Sequence, residues 1–509
     1  MSRQSWLLLF FIILKFALQY FLINPVYDLQ RDEYLYLDQA NHLAWGYASV
    51  PPFTSWNSLL IKALGNSVFW IKFFPALYGC LTLFLVWKMV ERLNGNLFAC
   101  CLSAVTIIFS VILRLNILYQ PNSFDVLSWT ALYFAVIAFI QTKKSRWLWI
   151  AGLVFAFGFL NKYNIAFLTA GLVPALLITS ERKIFLNKHL YFAAAIALVL
   201  ILPNLIWQYQ NDFPVVKHMQ ELAATQLVNV DRFGFLKAQI MFFLSGIFVL
   251  IVAFISFFVY PAFKKFRFVF WSFWFTLILF LYFRAKDYYT IGLYPVLIAF
   301  GSVYLEHLLS SLSVRFVRWV VVLIPLLIFV PMMQYIFPVL TPDQIYQKRE
   351  KFEALGLTRW EDGKEHNLPQ DFADMLGWKA IAAATDSVYQ TIDDKEHTLV
   401  FADNYGEAGA VNYYSTIKNL KAVSLNADYI NWFPKNKSYR QILIVKERDD
   451  DESDDPEMKT EHSLFNSIEF KWRLNNPYAR ENGATIYLLS DPKVDLNKVI
   501  EQMIREGDN

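Results

Sequence analysis

Residues 6–23 read WLLLFFIILKFALQYFLI, and eight residues further on the chain reads Arg31-Asp32-Glu33-Tyr34. The run is about long enough to cross a ~30 Å hydrocarbon core, and neither a small-residue cleavage site nor a soluble domain follows it. It reads as a retained first membrane helix rather than a signal peptide. Ten further hydrophobic runs follow, at roughly 67–90, 95–113, 123–141, 147–160, 164–179, 188–206, 235–260, 267–284, 288–309 and 315–338, for about eleven spans in all. The composition agrees, since 56% of the 509 residues are hydrophobic and 18% aromatic, well above the soluble average. The expected fold class is mainly α: a polytopic transmembrane helical domain over residues 1–340, then a small extracytoplasmic α/β domain over 341–509.

Charge divides the chain at the same place. Residues 1–340 hold 25 Lys and Arg against 12 Asp and Glu, whereas 341–509 hold 21 against 31, so the net +3 hides two unlike parts. No basic stripe on a soluble fold is present, which argues against a nucleic-acid partner. The three cysteines, Cys80, Cys100 and Cys101, lie in hydrophobic runs and form no disulfide framework.

Lys and Arg set the orientation. Arg3, Lys88 and Arg92, then Lys143, Lys144 and Arg146, Arg182, Lys183 and Lys188, Lys264, Lys265 and Arg267, and Arg315 and Arg318 fall in alternate loops. The positive-inside rule makes these cytoplasmic, and the N-terminus with them. The opposite loops hold Asp28, Asp32, Glu33, Asp38, Asp125, Asp212, Glu221, Asp231 and Asp287, so acidic chemistry belongs on the outer face of the membrane. Beyond Pro338 the pattern changes to β-like runs at 398–401 and 442–445 and a helical stretch near 371–390. The acidic tract 449–457 reads as a solvated loop.

The first outer loop, residues 24–66, is too long for a connector. From Asp32 to Trp45 it lacks Pro and Gly, and Tyr36, Ala40, Leu43 and Tyr47 recur at helical spacing, so a surface helix ended by Gly46 is expected. Asp32 and Glu33 then occupy its first turn, where the macrodipole favours anions. Capping explains Glu33 as well as chemistry does, and Pro51-Pro52 reads equally as a loop stiffener. For Asp32 a lipid-boundary charge asks for a use. The second outer loop brings Arg114 and, at the start of the next span, Asp125, which serves either as a helix-start anion or as a second active carboxylate. Lys162 with Tyr163, and Arg284 and Lys286 with Tyr288 and Tyr289, suit a phosphate; for Lys162 an interfacial snorkelling role is the competing reading.

Arg31-Asp32-Glu33-Tyr34-Leu35-Tyr36-Leu37, His42-Leu43-Ala44-Trp45-Gly46-Tyr47 and Pro51-Pro52 together resemble the first-loop pattern of bacterial membrane glycosyltransferases of the GT-C superfamily. The group is the one related to protein O-mannosyltransferases and lipid A aminoarabinose transferases. Ser123-Phe124-Asp125 with Trp129, Asn161-Lys162-Tyr163, Pro203-Asn204 with Trp207-Gln208, and Lys286 to Tyr289 with Tyr294-Pro295 agree with it. So does Asn404-Tyr405-Gly406-Glu407-Ala408-Gly409-Ala410, which also reads as a plain strand-to-helix turn. The resemblance covers nearly the whole chain. It implies transfer of a sugar from a polyprenyl-phosphate donor to a lipid, glycan or protein acceptor, usually with inversion, in the cytoplasmic membrane of the cell envelope. Carried over by position, Asp32 is the acid at the reacting centre, with Glu33 beside it and Asp125 as the second. Arg284, Lys286, Tyr288, Tyr289 and Lys162 would take the donor phosphate, and Tyr34, Tyr36, His42 and Arg114 would line the substrate cavity. Asp32 and Asp125 would alternatively ligate a divalent metal ion; no nucleotide or redox cofactor is expected. One departure is the uncharged Ser49-Val50-Pro51-Pro52, where the aminoarabinose transferases carry charge, and it weighs against lipid A as acceptor.

A transporter or flippase is the rival class, but its acids belong near the bilayer midplane on broken helices, often with inverted repeats. Here the carboxylates sit at outer ends and no repeat is seen. A sensor would need a cytoplasmic output module, and the inner loops are too short for one.

Overall fold

The computed structural model describes residues 3–225, 227, 231–310, 315–434, 437–448 and 461–507. The chain divides into two compact units, one of Met1–Ile23 with Ala44–Val339 and one of Asn24–Leu43 with Leu340–Asn509. The expected boundary near residue 340 is therefore joined by a second one inside the first outer loop.

The first unit is built of helices, as it must be where lipid leaves no other partner for backbone N–H and C=O groups. Among the described residues, seven helices are long and apolar enough to cross a membrane, and nine if each of two bent pairs is one span. The bent pairs are Asn164–Leu177 with Ser180–Leu186, turned by 111°, and Arg232–Phe242 with Leu244–Val259, turned by 60°. The expected runs at 95–113 and 147–160 become the shorter apolar helices Leu97–Ile108 and Arg146–Asn161. This is a multi-pass membrane protein, and each of the eleven expected runs falls on an apolar helix or bent helix pair among the described residues. Leu97–Ile108 is buried almost all round, as befits a helix with no polar face. Val68–Arg92 packs against it, against Arg3–Phe21 and against Asn122–Thr142. Lys15, in the middle of the first span, is buried and inward-facing, donating to Asn116 Oδ1 at 2.8 Å and Gln19 Oε1 at 3.2 Å. A charge-bearing side chain in hydrocarbon survives only when satisfied in this way.

The second unit is an α/β domain. Its strands are β1 (Thr398–Ala402), β2 (Ala422–Val423), β3 (Gln441–Lys446), β4 (Phe465–Arg473) and β5 (Thr485–Pro492), in the order β2-β1-β3-β5-β4. β1 runs parallel to β2 and β3, while β5 is antiparallel to β3 and β4. The two runs read as strands are β1 and β3, side by side with Leu399 opposite Ile442. The helical stretch near 371–390 is Gln370–Ala373 and Trp378–Gln390. The acidic tract 449–457 lies outside the described residues.

Residues 24–43 are sewn into this domain. Asp28 N donates to Met375 O at 2.7 Å and Arg31 N to Asp374 O at 3.1 Å. Asn412 and Tyr429 donate to Asp38 Oδ2 at 2.6 and 2.9 Å, and Gln39 donates to Asp428. Those bonds explain why the surface helix is shorter than expected. It runs Arg31–Asp38, tightens into a single 3₁₀ turn at Gln39–Asn41, and ends well before Gly46.

Candidate active site

Asp32 and Glu33 part company in the structure. Gln30 caps the Arg31–Asp38 helix, its side chain accepting from Asp32 N, while Glu33 Oε2 accepts from Gln30 N at 2.7 Å. This reciprocal box satisfies two helix-start N–H groups, and Glu33 is 0% exposed. Its carboxylate thus helps to start the helix, the capping role that the sequence allowed it. Asp32, one position earlier, is half-buried, and its Oδ1 accepts from the Tyr405 hydroxyl at 2.7 Å. Arg31 lies over the Tyr405 ring, 4.4 Å from its centroid.

The neighbours of the pair form a charged cluster within the second unit. Arg480 bonds Asp374 at 3.1 Å and approaches Glu481 at 3.9 Å, and Asn404 Nδ2 reaches Glu481 at 3.4 Å. Burial pushes Asp374 up to about 6 despite Arg480 and Arg31. Burial and Glu447 push Glu481 up to about 7, and burial with Glu481 beside it drives Glu407 well above the carboxylate range. Carboxyls with raised folded-state values contribute stability below their unfolded values near 4 and lose it as pH climbs through the folded ones. The second unit is therefore expected to be more protected at pH 5 than at pH 8. Hydrogen exchange on peptides across β1 and β3 in the intact protein, corrected for intrinsic rates, measures this; protection that rises with pH contradicts it. Asp362, held low by the Lys364 N–H and then by His366, and Asp394, held low by His397, stay ionised throughout that window.

Two residues expected to line a cavity are absorbed in packing. Tyr34 is 1% exposed, edge-on to Trp378 and Tyr414 with its hydroxyl donating to Leu29 O. His42 stacks flat on Trp432 at 4.4 Å. Tyr36 is half-buried, and Arg114 is buried in the short helix Val111–Leu115 of the first unit.

The first unit gathers most of the rest. Asp125 sits in the first turn of Asn122–Thr142, is buried, and takes a bond from Asn164 at 3.4 Å. Lys162, at the turn between Arg146–Asn161 and Asn164–Leu177, donates to Asn122 Oδ1 at 2.8 Å. Its ammonium rests 3.9 Å from the Tyr289 ring centroid and 5.5 Å from that of Tyr288. Asp125 and Lys286 act on its charge with opposite signs. Lys162, Lys286, Tyr288, Tyr289 and Asp125 are thus brought together, from three separate stretches of the first unit. Arg284 is exposed, with a left-handed φ of 52°, and no bond ties it to this group. Asn122 and Asn164 went unnoticed in the sequence, where a lone amide beside a span carries no signal.

Among the described residues no group of three or more His, Cys, Asp or Glu side chains is placed to hold a metal ion. Asp32 faces a phenol, and Asp125 faces an amide and the Lys162 ammonium.

Residues 49–207 match the family described as dolichyl-phosphate-mannose-protein mannosyltransferase. Two curated relatives come from Rhizobium johnstonii. One is the lipid A galacturonosyltransferase RgtD, 28% identical over 233 residues, covering 44% of this chain and 47% of the relative. The other is the lipopolysaccharide core galacturonosyltransferase RgtB, 28% identical over 222 residues, covering 40% and 44%. The chain thus spans about half the length of the curated relatives it matches. The crystal structure of ArnT from Cupriavidus metallidurans bound to undecaprenyl phosphate superposes with a TM-score of 0.62 at 13% identity, covering 96% of this chain and 98% of that one. From its first span to its α/β domain, the chain has the fold of that ArnT structure.

Proposed function

We propose that the protein moves a sugar from a polyprenyl-phosphate donor to an acceptor lipid, glycan or protein at the outer face of the cytoplasmic membrane, with inversion. The observation that carries this reading is the Lys162 group. Two lysines and two tyrosines converge in a membrane unit, and an assembly of that kind suits a phosphate at the lipid boundary. The N-terminus is then cytoplasmic and the second unit extracytoplasmic, as the loop charges require.

The chemistry assigns each group a task. The acceptor hydroxyl attacks the anomeric carbon, its oxygen–carbon bond forms as the carbon–oxygen bond to phosphate breaks, and its proton passes to a carboxylate, the role that the sequence resemblance gives Asp32. The polyprenyl phosphate leaves with one more negative charge, which Lys162 and Lys286 stabilise with hydrogen bonds from Tyr288 and Tyr289. Asp125 sets the field at Lys162 and keeps that ammonium in place when no donor is bound.

Support also comes from relatives: the ArnT structure is described as bound to undecaprenyl phosphate, and the names of both curated relatives specify lipid A or lipopolysaccharide core. Those names return lipid A to the acceptors worth testing first, against the uncharged Ser49 to Pro52 segment. Lipids extracted from a deletion strain should contain an accumulated polyprenyl-linked sugar; an unchanged lipid profile, with transfer to envelope glycans intact, counts against the assignment.

A further inference from the structure

The stretch from Asn404 to Ala410 is more than the turn between β1 and a helix. Asn404 starts the Tyr405–Tyr414 helix with a capping box, accepting from Gly406 N and Glu407 N at 2.9 and 3.1 Å while Glu407 reaches back to Asn404 N. The helix then lies against Arg31–Asp38 at a distance that only glycine allows. A Cβ on Gly406 would come within 2.6 Å of Arg31 Cγ, and one on Gly409 within 2.6 Å of Tyr34 Cβ. Three residues apart, the two glycines share one helix face. The first helical residue, Tyr405, is left with its ring beneath Arg31 and its hydroxyl on Asp32, 373 positions away in sequence.

An eight-residue helix has no stability of its own to fix a side chain on its first turn, yet a base must be held to the geometry of the proton it removes. The second unit supplies what the short helix lacks. The charged groups around Asp32 are Arg31 on its own helix and, from the packed elements, Asp374, Arg480 and Glu481. Among these Tyr405 gives Asp32 a direct neutral hydrogen bond, and burial beside an anion keeps its phenol protonated, a donor throughout.

We propose that Tyr405 is a positioning residue for Asp32, and that the close packing of Gly406 and Gly409 on Arg31 and Tyr34 serves to present its hydroxyl. This rests on the reading of Asp32 as the base. The test is Tyr405→Phe in the intact membrane protein, which keeps the ring under Arg31 and removes one oxygen. Loss of such a supporting partner typically costs about 10- to 100-fold in activity, and here the loss should fall on kcat, with the KM for donor and the thermal midpoint held. In an Asp32→Asn background the same change should cost nothing further. If Asp32→Asn is inactive while Tyr405→Phe keeps the parent kcat, or loses kcat only together with KM and thermal stability, the positioning role is overturned. If Asp32→Asn itself turns over normally, the reading of Asp32 fails and the proposal with it. Should Tyr405→Phe not fold, 3-fluorotyrosine at that position keeps the shape and strengthens the donor. A lower kcat then supports the role, and an unchanged one overturns it.

Discussion

Asp32→Asn is expected to lower sugar transfer by about 10² to 10⁴, the usual contribution of a positioned base, while leaving folding and donor binding intact. The amide is isosteric, and Tyr405 can still donate to its oxygen, so the Arg31–Asp38 helix keeps its place. Glu33 provides the contrast. Its carboxylate closes the capping box with Gln30, so Glu33→Ala should cost about 1 kcal/mol of stability or somewhat more with transfer retained in the protein that folds. Single-turnover transfer and a thermal melt on both variants separate the roles. Equal losses of transfer in the two would mean that the adjacent acids act together, and near-parent turnover in Asp32→Asn would remove the base from the mechanism.

Lys162→Met is the second large expected effect. Methionine keeps the length of the side chain and removes the charge, so the stabilisation of the departing phosphate falls away. Removing one fixed donor from a developing anion costs about 10² to 10³ in kcat, and Lys162→Arg should restore part of it, since charge survives and geometry changes. Were Lys162 only an interfacial anchor, both variants would transfer at close to the parent rate, because snorkelling requires a long side chain near the interface rather than a cation at one point. Its ammonium lies 2.8 Å from Asn122 and over the Tyr289 ring, a fixed position that an anchor in mobile headgroups does not need.

The membrane unit was legible because lipid imposes one rule on every span, and hydrophobic length reports it directly. The bends were not: nothing in the run 164–179 foretells the 111° turn that follows Leu177. β1 and β3 were legible from short apolar runs, since buried strands of a sheet need apolar residues on both faces. The allegiance of residues 24–43 to the second unit was hidden. It depends on pairings such as Asp28 with Met375 and Asp38 with Tyr429, and no local pattern announces a partner more than three hundred residues away. For the same reason Tyr34 read as a cavity residue. An aromatic beside two acids is equally consistent with binding and with packing, and only Trp378 and Tyr414 decide the matter. Glu33 was half legible, because an acid in a helix's first turn is what a capping box uses. Asn404 to Ala410 was visible as a motif and as the strand-to-helix turn it is, but the close approach of its glycines to Arg31 and Tyr34 was not, since those partners lie far away in sequence.

The central claim is that a polyprenyl-phosphate sugar is cleaved here and its sugar handed on. Purified protein incubated with such a donor and extracted envelope lipid should release free polyprenyl phosphate in step with labelled acceptor, and Asp32→Asn and Lys162→Met should each suppress both. Movement of the intact lipid-linked sugar across a reconstituted vesicle, with no polyprenyl phosphate released, would contradict the account and make the protein a transporter.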